Sequence, residues 1–191
     1  REDSSADGEV QDKDPRTFAR HLGHVFAECR RVLKDEGVMA FSFHHSRPEG
    51  WAAIYRALAD GGLSVVNIHP VHAELRAASP KSAAKDPISL DAILVCRKQS
   101  AVNPKHYSVQ AILAQTQADR DTLSAGGLSL SRSDRFVIAA ARALIAAGHE
   151  NLSFEEMERR LEAIQLACTK EPSLTLASAE ENSLIETDHA A

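Results

Sequence analysis

The chain has 191 residues, of which 43% are hydrophobic and 26% charged, and its net charge is −5. This composition is ordinary for a globular domain and lacks the strong positive charge of a dedicated nucleic-acid-binding domain. The charge is uneven, because residues 1–14 and 169–191 each carry −4, which leaves +3 for residues 15–168. No apolar run approaches the roughly 20 residues of a membrane helix, so we expect no membrane partner.

Three cysteines, an odd number, lie far apart at Cys29, Cys96 and Cys168. This pattern favours reduced, buried thiols and a cytoplasmic location over a disulfide framework. The first residue is Arg1 rather than Met, and no charged-then-apolar leader follows it. We therefore expect a truncated or processed chain, or a gene fragment, without a secretion signal.

The pattern divides the chain into four parts. We expect a flexible acidic leader over 1–13, an α/β segment over 14–98, a helical appendage over 99–168 and a disordered acidic tail over 169–191. In the appendage, helical spacing predicts helices over about 107–122, 133–147 and 154–168. Ser153 and Glu156 form a capping box at the start of the last helix, and Ser131 to Asp134 offer a looser cap for the helix before it.

In the α/β segment, Asp14-Pro15 predicts a helix start, and Gly37 predicts a left-handed cap at the end of that helix. The run from Val38 to Phe43 does not alternate, which predicts a strand buried on both faces, as in a parallel sheet. A second helix begins at Pro48 and is stopped by Gly61-Gly62.

Two more strands are predicted over 63–71 and 90–96. The stretch SPKSAAKDP over 79–87 has the composition of an exposed loop without a helical pattern, so these strands should form an antiparallel pair. The fold class is therefore α/β, with closing strands that end in an antiparallel edge pair.

Two stretches, FAECRRVLKDEGVMAFSFHHSRPEGW and HPVHAELRAASPKSAAKDPISLDAILVCRK, resemble the prokaryotic adenine-specific DNA methylases that carry the DUF1156 region. The resemblance covers about residues 9–98. It implies part of a Rossmann-like class I methyltransferase sheet, S-adenosylmethionine as the cofactor of the complete enzyme, and DNA as its substrate. It also implies a second component that carries the rest of the domain, either an upstream segment or a separate subunit.

Two family motifs are absent from the chain. It has no Gly-x-Gly for the cofactor loop, and its seven prolines are never adjacent, so no Asp-Pro-Pro-Tyr motif is present. Methyl transfer requires an aimed sulfonium carbon and acceptors that orient the amine. We therefore predict no catalytic residue, no cofactor binding and no activity for this chain alone.

His44-His45 follows the predicted central strand, at the sheet edge where open α/β sheets bind ligands. One imidazole could line the substrate side together with Arg47, or the pair could cap the strand end. Lys81, Ser82 and Lys85, together with Arg47 and Arg76, could contact phosphates, or could belong to a solvated loop.

Several other residues favour structural readings. The pairs His21/His24 and His69/His72 lack a third ligand, so we predict no metal site. Helical spacing places Trp51 in the core, and Asp91 is interpreted as a structural cap. Two alternative functions remain open: a non-catalytic module that binds nucleic acid or protein through the 103–168 helices, and part of a methyltransferase for RNA or a small molecule.

Overall fold

The computed structural model describes residues 10, 12–73, 87–99, 107–148 and 150–170. The leader, apart from residues 10, 12 and 13, and the tail beyond Lys170 lie outside this part. The described elements, in chain order, are α1 (Pro15–Val32), β1 (Met39–Phe43), α2 (Pro48–Asp60), β2 (Leu63–His72), β3 (Leu90–Lys98), α3 (Val109–Ala125), α4 (Arg132–Ala147) and α5 (Phe154–Lys170). The three helices predicted for the second half are confirmed.

The start of α1 is confirmed, but its predicted end at Gly37 is wrong. The carboxylate of Asp14 accepts a hydrogen bond from the backbone N–H of Thr17 at 2.9 Å, so it caps the helix as expected. The backbone already leaves the helix at Leu33, which is extended. Gly37 then lies in a turn with negative φ, whereas Gly62, with φ +70°, makes the tight turn from α2 into β2.

The sheet has the order β1-β3-β2, and β3 runs antiparallel to both neighbours. The predicted antiparallel pair of β2 and β3 is confirmed. Among the described strands β1 has no parallel neighbour, because β3 returns between β1 and β2 and separates them. Since both outer strands oppose β3, they point in the same direction without touching.

The helices of the described ranges cover one face of the sheet. On that face, Met39, Phe41 and Phe43 are partly buried, whereas Ala40 and Ser42 on the opposite face of β1 are exposed. The predicted burial of β1 on both faces is therefore wrong. An antiparallel sheet packed on one side tolerates this arrangement, because alternate side chains point to opposite faces.

One hydrophobic core joins both predicted segments of the chain. Helix α4 packs against β2 and β3, and most of its residues are buried, including the run from Phe136 to Ala141. Helix α5 adds Met157, Leu161 and Ile164 to the same cluster. The helices of residues 99–168 and the α/β segment therefore exclude water together.

A buried carboxylate connects α4 to the start of β3. Asp134 is fully buried and completes the capping box with Ser131. It also accepts hydrogen bonds from the Ser89 N–H at 2.7 Å and the Leu90 N–H at 3.0 Å. The helix dipole favours a negative charge at this terminus, so one side chain both caps α4 and holds β3 in place.

All three cysteines are free. Burial raises the pKa of the Cys96 thiol to about 12. No helix in the described ranges combines the length and apolarity that crossing a bilayer requires.

We expect Asp134→Ala to lower the free energy of unfolding by roughly 3 kcal/mol, because a cap is lost and buried donors are left unsatisfied. Ser153→Ala is the matched control, since Ser153 and Glu156 form the same capping box at an exposed helix start. That control should lose only about 1 kcal/mol. Urea unfolding monitored by circular dichroism measures both, and equal losses would contradict the linking role of Asp134.

The Cys96 thiol should also make stability depend on pH. The unfolded chain loses this proton near the ordinary thiol pKa of 9.0, while the folded chain keeps it up to about 12. Folded-state stability should therefore fall as pH rises above 9. Between pH 9 and about pH 10.5, the free energy of unfolding should decline less steeply with pH in Cys96→Ala than in the wild type. Identical slopes in the two proteins would refute the raised pKa of the Cys96 thiol.

Candidate functional site

Polar side chains meet at the carboxyl end of β1, where the loop to α2 begins. Phe43 pairs with Ala92 across the β1–β3 ladder, so the next residue, His44, comes opposite Asp91. The Nδ1 of His44 lies within hydrogen-bonding distance of the Asp91 carboxylate. Asp91 was interpreted from the sequence as a structural cap, whereas the structure makes it the partner of this histidine.

His45 has a different role from His44. Its ring stacks nearly parallel to the ring of Phe43, with centroids 6.4 Å apart. Its Nδ1 accepts a hydrogen bond from the backbone N–H of Arg47 at 3.1 Å. The ring also lies against Gly50, where an added Cβ would come within 2.4 Å of it. His45 therefore fills and closes the turn, which is the structural reading of the histidine pair.

Two helices anchor this turn. The indole N–H of Trp51 donates to the carbonyl of His45 at 2.9 Å, and the ring of Trp51 packs edge-on against Phe43. The side-chain amide of Gln165 on α5 donates to the carbonyl of Ser46 at 2.9 Å. Trp51 is completely buried, so its predicted place in the core is confirmed. The backbone that carries His44 is thus held from α2 and from α5.

Arg47 lies at the mouth of the same turn and is largely exposed. Its Nε is 2.9 Å from a carboxylate oxygen of Glu49. An exposed ion pair of this kind contributes little to stability and can exchange partners with another anion. Arg47 therefore already has a carboxylate partner, and its contact with a phosphate stays a prediction.

The residues beside His44 and Asp91 lie on the sheet surface opposite the helices. Along it, Ser42 pairs with Ile93, which pairs with His69 of β2, and Asp91 pairs with Val71. This face is therefore polar near the carboxyl end of β1, with aliphatic side chains beside the polar groups.

The remaining candidates from the sequence do not join this site. Lys81, Ser82, Lys85 and Arg76 lie outside the described residues. His69 and His72 are three positions apart on β2, so their side chains leave opposite faces of the sheet and cannot chelate together. Within the described ranges, no three His, Cys, Asp or Glu side chains converge as metal ligands.

Sequence reasoning missed the contact between His44 and Asp91. The two residues are 47 positions apart, and only the antiparallel register brings them together. The available signal was Asp91, a charged residue near the start of the hydrophobic strand β3, but the sequence did not indicate its partner.

Comparison of the chain with protein-family models, with curated proteins and with solved structures finds no match.

We expect Gly50→Ala to destabilise the fold by about 1–3 kcal/mol, because the new methyl group would overlap the ring of His45. Gly126→Ala is the control, since the nearest atom to an added Cβ there is 3.3 Å away. Urea unfolding followed by Trp51 fluorescence measures both changes. Equal stability of Gly50→Ala and the wild type would show that His45 is not locked in the turn.

Proposed function

We propose that this chain is the closing part of an S-adenosylmethionine-dependent DNA adenine-N6 methyltransferase. The observation that carries the proposal is the strand arrangement, in which β1 and β2 share a direction and β3 is reversed between them. A sheet that ends in a reversed pair is what the resemblance to the DNA methylases implies. The carboxyl end of β1 would then be the substrate side, and it carries His44, His45 and Arg47.

One edge of β1 is free to pair with an additional strand. One edge of β1 bonds to β3, and no other described strand pairs with β1. Unpaired N–H and C=O groups on such an edge are a template for another strand. Val25, Val32 and Val38 are large exposed apolar side chains on α1 and just before β1. Docking of the missing half of the domain would cover the edge, whether that half is an upstream segment or a separate subunit.

The turn after β1 does not fit S-adenosylmethionine. Pro48 removes one N–H group at the start of α2, and the ring of His45 fills the space over Gly50. A cofactor loop needs glycine and free backbone donors for close approach to the ligand. We therefore assign cofactor binding and the amine-holding motif to the missing half, and no catalytic residue to this chain.

A non-catalytic module that binds through the second-half helices is the weaker candidate. Most of α4 is buried, and α5 contributes five buried residues to the core. Most of their apolar side chains are therefore used within the fold, whereas Leu166 of α5 is exposed. An RNA or small-molecule substrate remains an outcome of the substrate test below. The free thiols support a reducing, cytoplasmic location.

The isolated chain should neither bind S-adenosylmethionine nor transfer its methyl group. Calorimetric titration of the cofactor into the folded chain should give no heat of binding, and labelled methyl should not enter DNA. Circular dichroism on the same sample controls for folding. Stoichiometric binding would mean that this chain builds a cofactor site, and the proposed division of labour would be wrong.

Co-production with the segment encoded immediately upstream tests the function itself. If that segment contains Asp-Pro-Pro-Tyr, the two parts together should methylate adenine in duplex DNA, while either part alone should not. Digestion of the DNA to nucleosides and chromatography of N6-methyl-2′-deoxyadenosine would measure this. Transfer only to RNA or to a small molecule would replace DNA as the substrate, and no transfer by a stable complex would reject the proposal.

A further inference from the structure

We infer that a carboxylate-binding pocket lies between α3, α4 and α5, and that its occupant is the side chain of Glu171, the residue that follows α5. Arg120 of α3 and Arg135 of α4 line this pocket. The inference does not depend on the proposed function, because it concerns residues other than those at the carboxyl end of β1.

Two buried arginines carry the argument. Arg135 is 1% exposed and Arg120 is 8% exposed. An arginine side chain keeps its charge even when it is buried. Because the removal of a cation from water costs free energy, buried arginines are found with anions or hydrogen-bond acceptors. Two cationic side chains beside one cavity therefore favour a negatively charged occupant.

The other lining residues are uncharged in their ordinary states, and they are Leu113, Thr116, Gln117 and Cys168. Nη1 of Arg120 donates to the side-chain oxygen of Gln117 at 2.7 Å. Two acidic residues of α3 have other partners, since Asp119 binds Arg142 through two hydrogen bonds and Asp121 accepts from the Gln117 amide. Within the described ranges, the lining thus supplies positive charge without a carboxylate of its own.

The size of the cavity restricts the ligand. The space that a water-sized group can enter is about 10 Å³, which is close to the room that one water molecule needs. A nucleobase or S-adenosylmethionine is far larger than this space. A single carboxylate that enters from the open side suits it, because its two oxygens can accept hydrogen bonds from both guanidinium groups.

The chain itself brings a carboxylate to this place. Cys168 lines the cavity, and Glu171 follows it by three residues. Three residues of fully extended chain span at most about 11 Å, so the Glu171 side chain is within reach of the pocket. Residues 171–191 contain five acidic and no basic residues, and the next acid after Glu171 is Glu180. Charge and reach together therefore select Glu171.

NMR of the arginine side chains in the full 191-residue chain tests the occupant. In Glu171→Gln, the guanidinium resonances of Arg135 and Arg120 should shift, because the charged acceptor is lost. Glu180→Gln is the matched control, since it removes the same charge nine residues further on, and it should leave both resonances unchanged. No shift in Glu171→Gln, or equal shifts in the two variants, would overturn the assignment.

Formate, the smallest carboxylate, tests the chemistry of the pocket. At millimolar concentration it should shift the Arg135 resonance in Glu171→Ala, which lacks the competing side chain. The wild type should respond far less, because a tethered carboxylate has a high effective concentration. No response in Glu171→Ala would refute an anion pocket, and an equal response in the wild type would show that Glu171 does not occupy it.

Urea unfolding provides a measurement that needs no resonance assignment. Glu171→Gln should lower the folding equilibrium constant by roughly tenfold, because the loss of one partner leaves a buried charge without its counter-ion. Glu180→Gln should match the wild type, since it does not change the pocket. Equal stability of Glu171→Gln and Glu180→Gln would contradict the pairing.

Discussion

The start of β3 is the point on which both sides of this fold depend. On the helix side, the buried carboxylate of Asp134 accepts the N–H groups of Ser89 and Leu90 and also caps α4. On the opposite side, the carboxylate of the next residue, Asp91, contacts His44, which directly follows β1. Two adjacent strand positions thus connect the core to the candidate site. Displacement of β3 would therefore disturb the packing of α4 and the orientation of His44 together.

Covering one sheet face leaves the molecule with two unequal surfaces. The helix side holds the core, including the completely buried Trp51 and the alanine-rich α4. The other side exposes Val66 and Asn67 of β2 together with Ala40 and Ser42 of β1. An open strand edge favours association with another polypeptide. The proposed missing half would occupy the open edge and leave the carboxyl end of β1 at the junction of the two parts.

The adjacent residues His44 and His45 make different contacts and have different structural roles. His45 stacks on Phe43 and accepts a backbone N–H, so it maintains the turn. His44 contacts a carboxylate from a distant strand and keeps one ring nitrogen on the open face. The sequence predicted that the pair would lie at the end of a strand. It could not decide whether the histidines line a substrate site or cap the strand end. That depends on the face of the sheet to which each ring points and on the residue opposite it.

Local signals determined much of this structure. The helix starts at Asp14-Pro15, Ser131 and Ser153 could be predicted because a cap and its partner lie within three or four residues. The burial of Trp51 followed from helical spacing. Only the tertiary structure decided the order of the strands, the one-sided burial of β1 and the contact between His44 and Asp91. Each of these depends on segments that are distant in the chain, and on which apolar faces the helices cover, so no local pattern contains them.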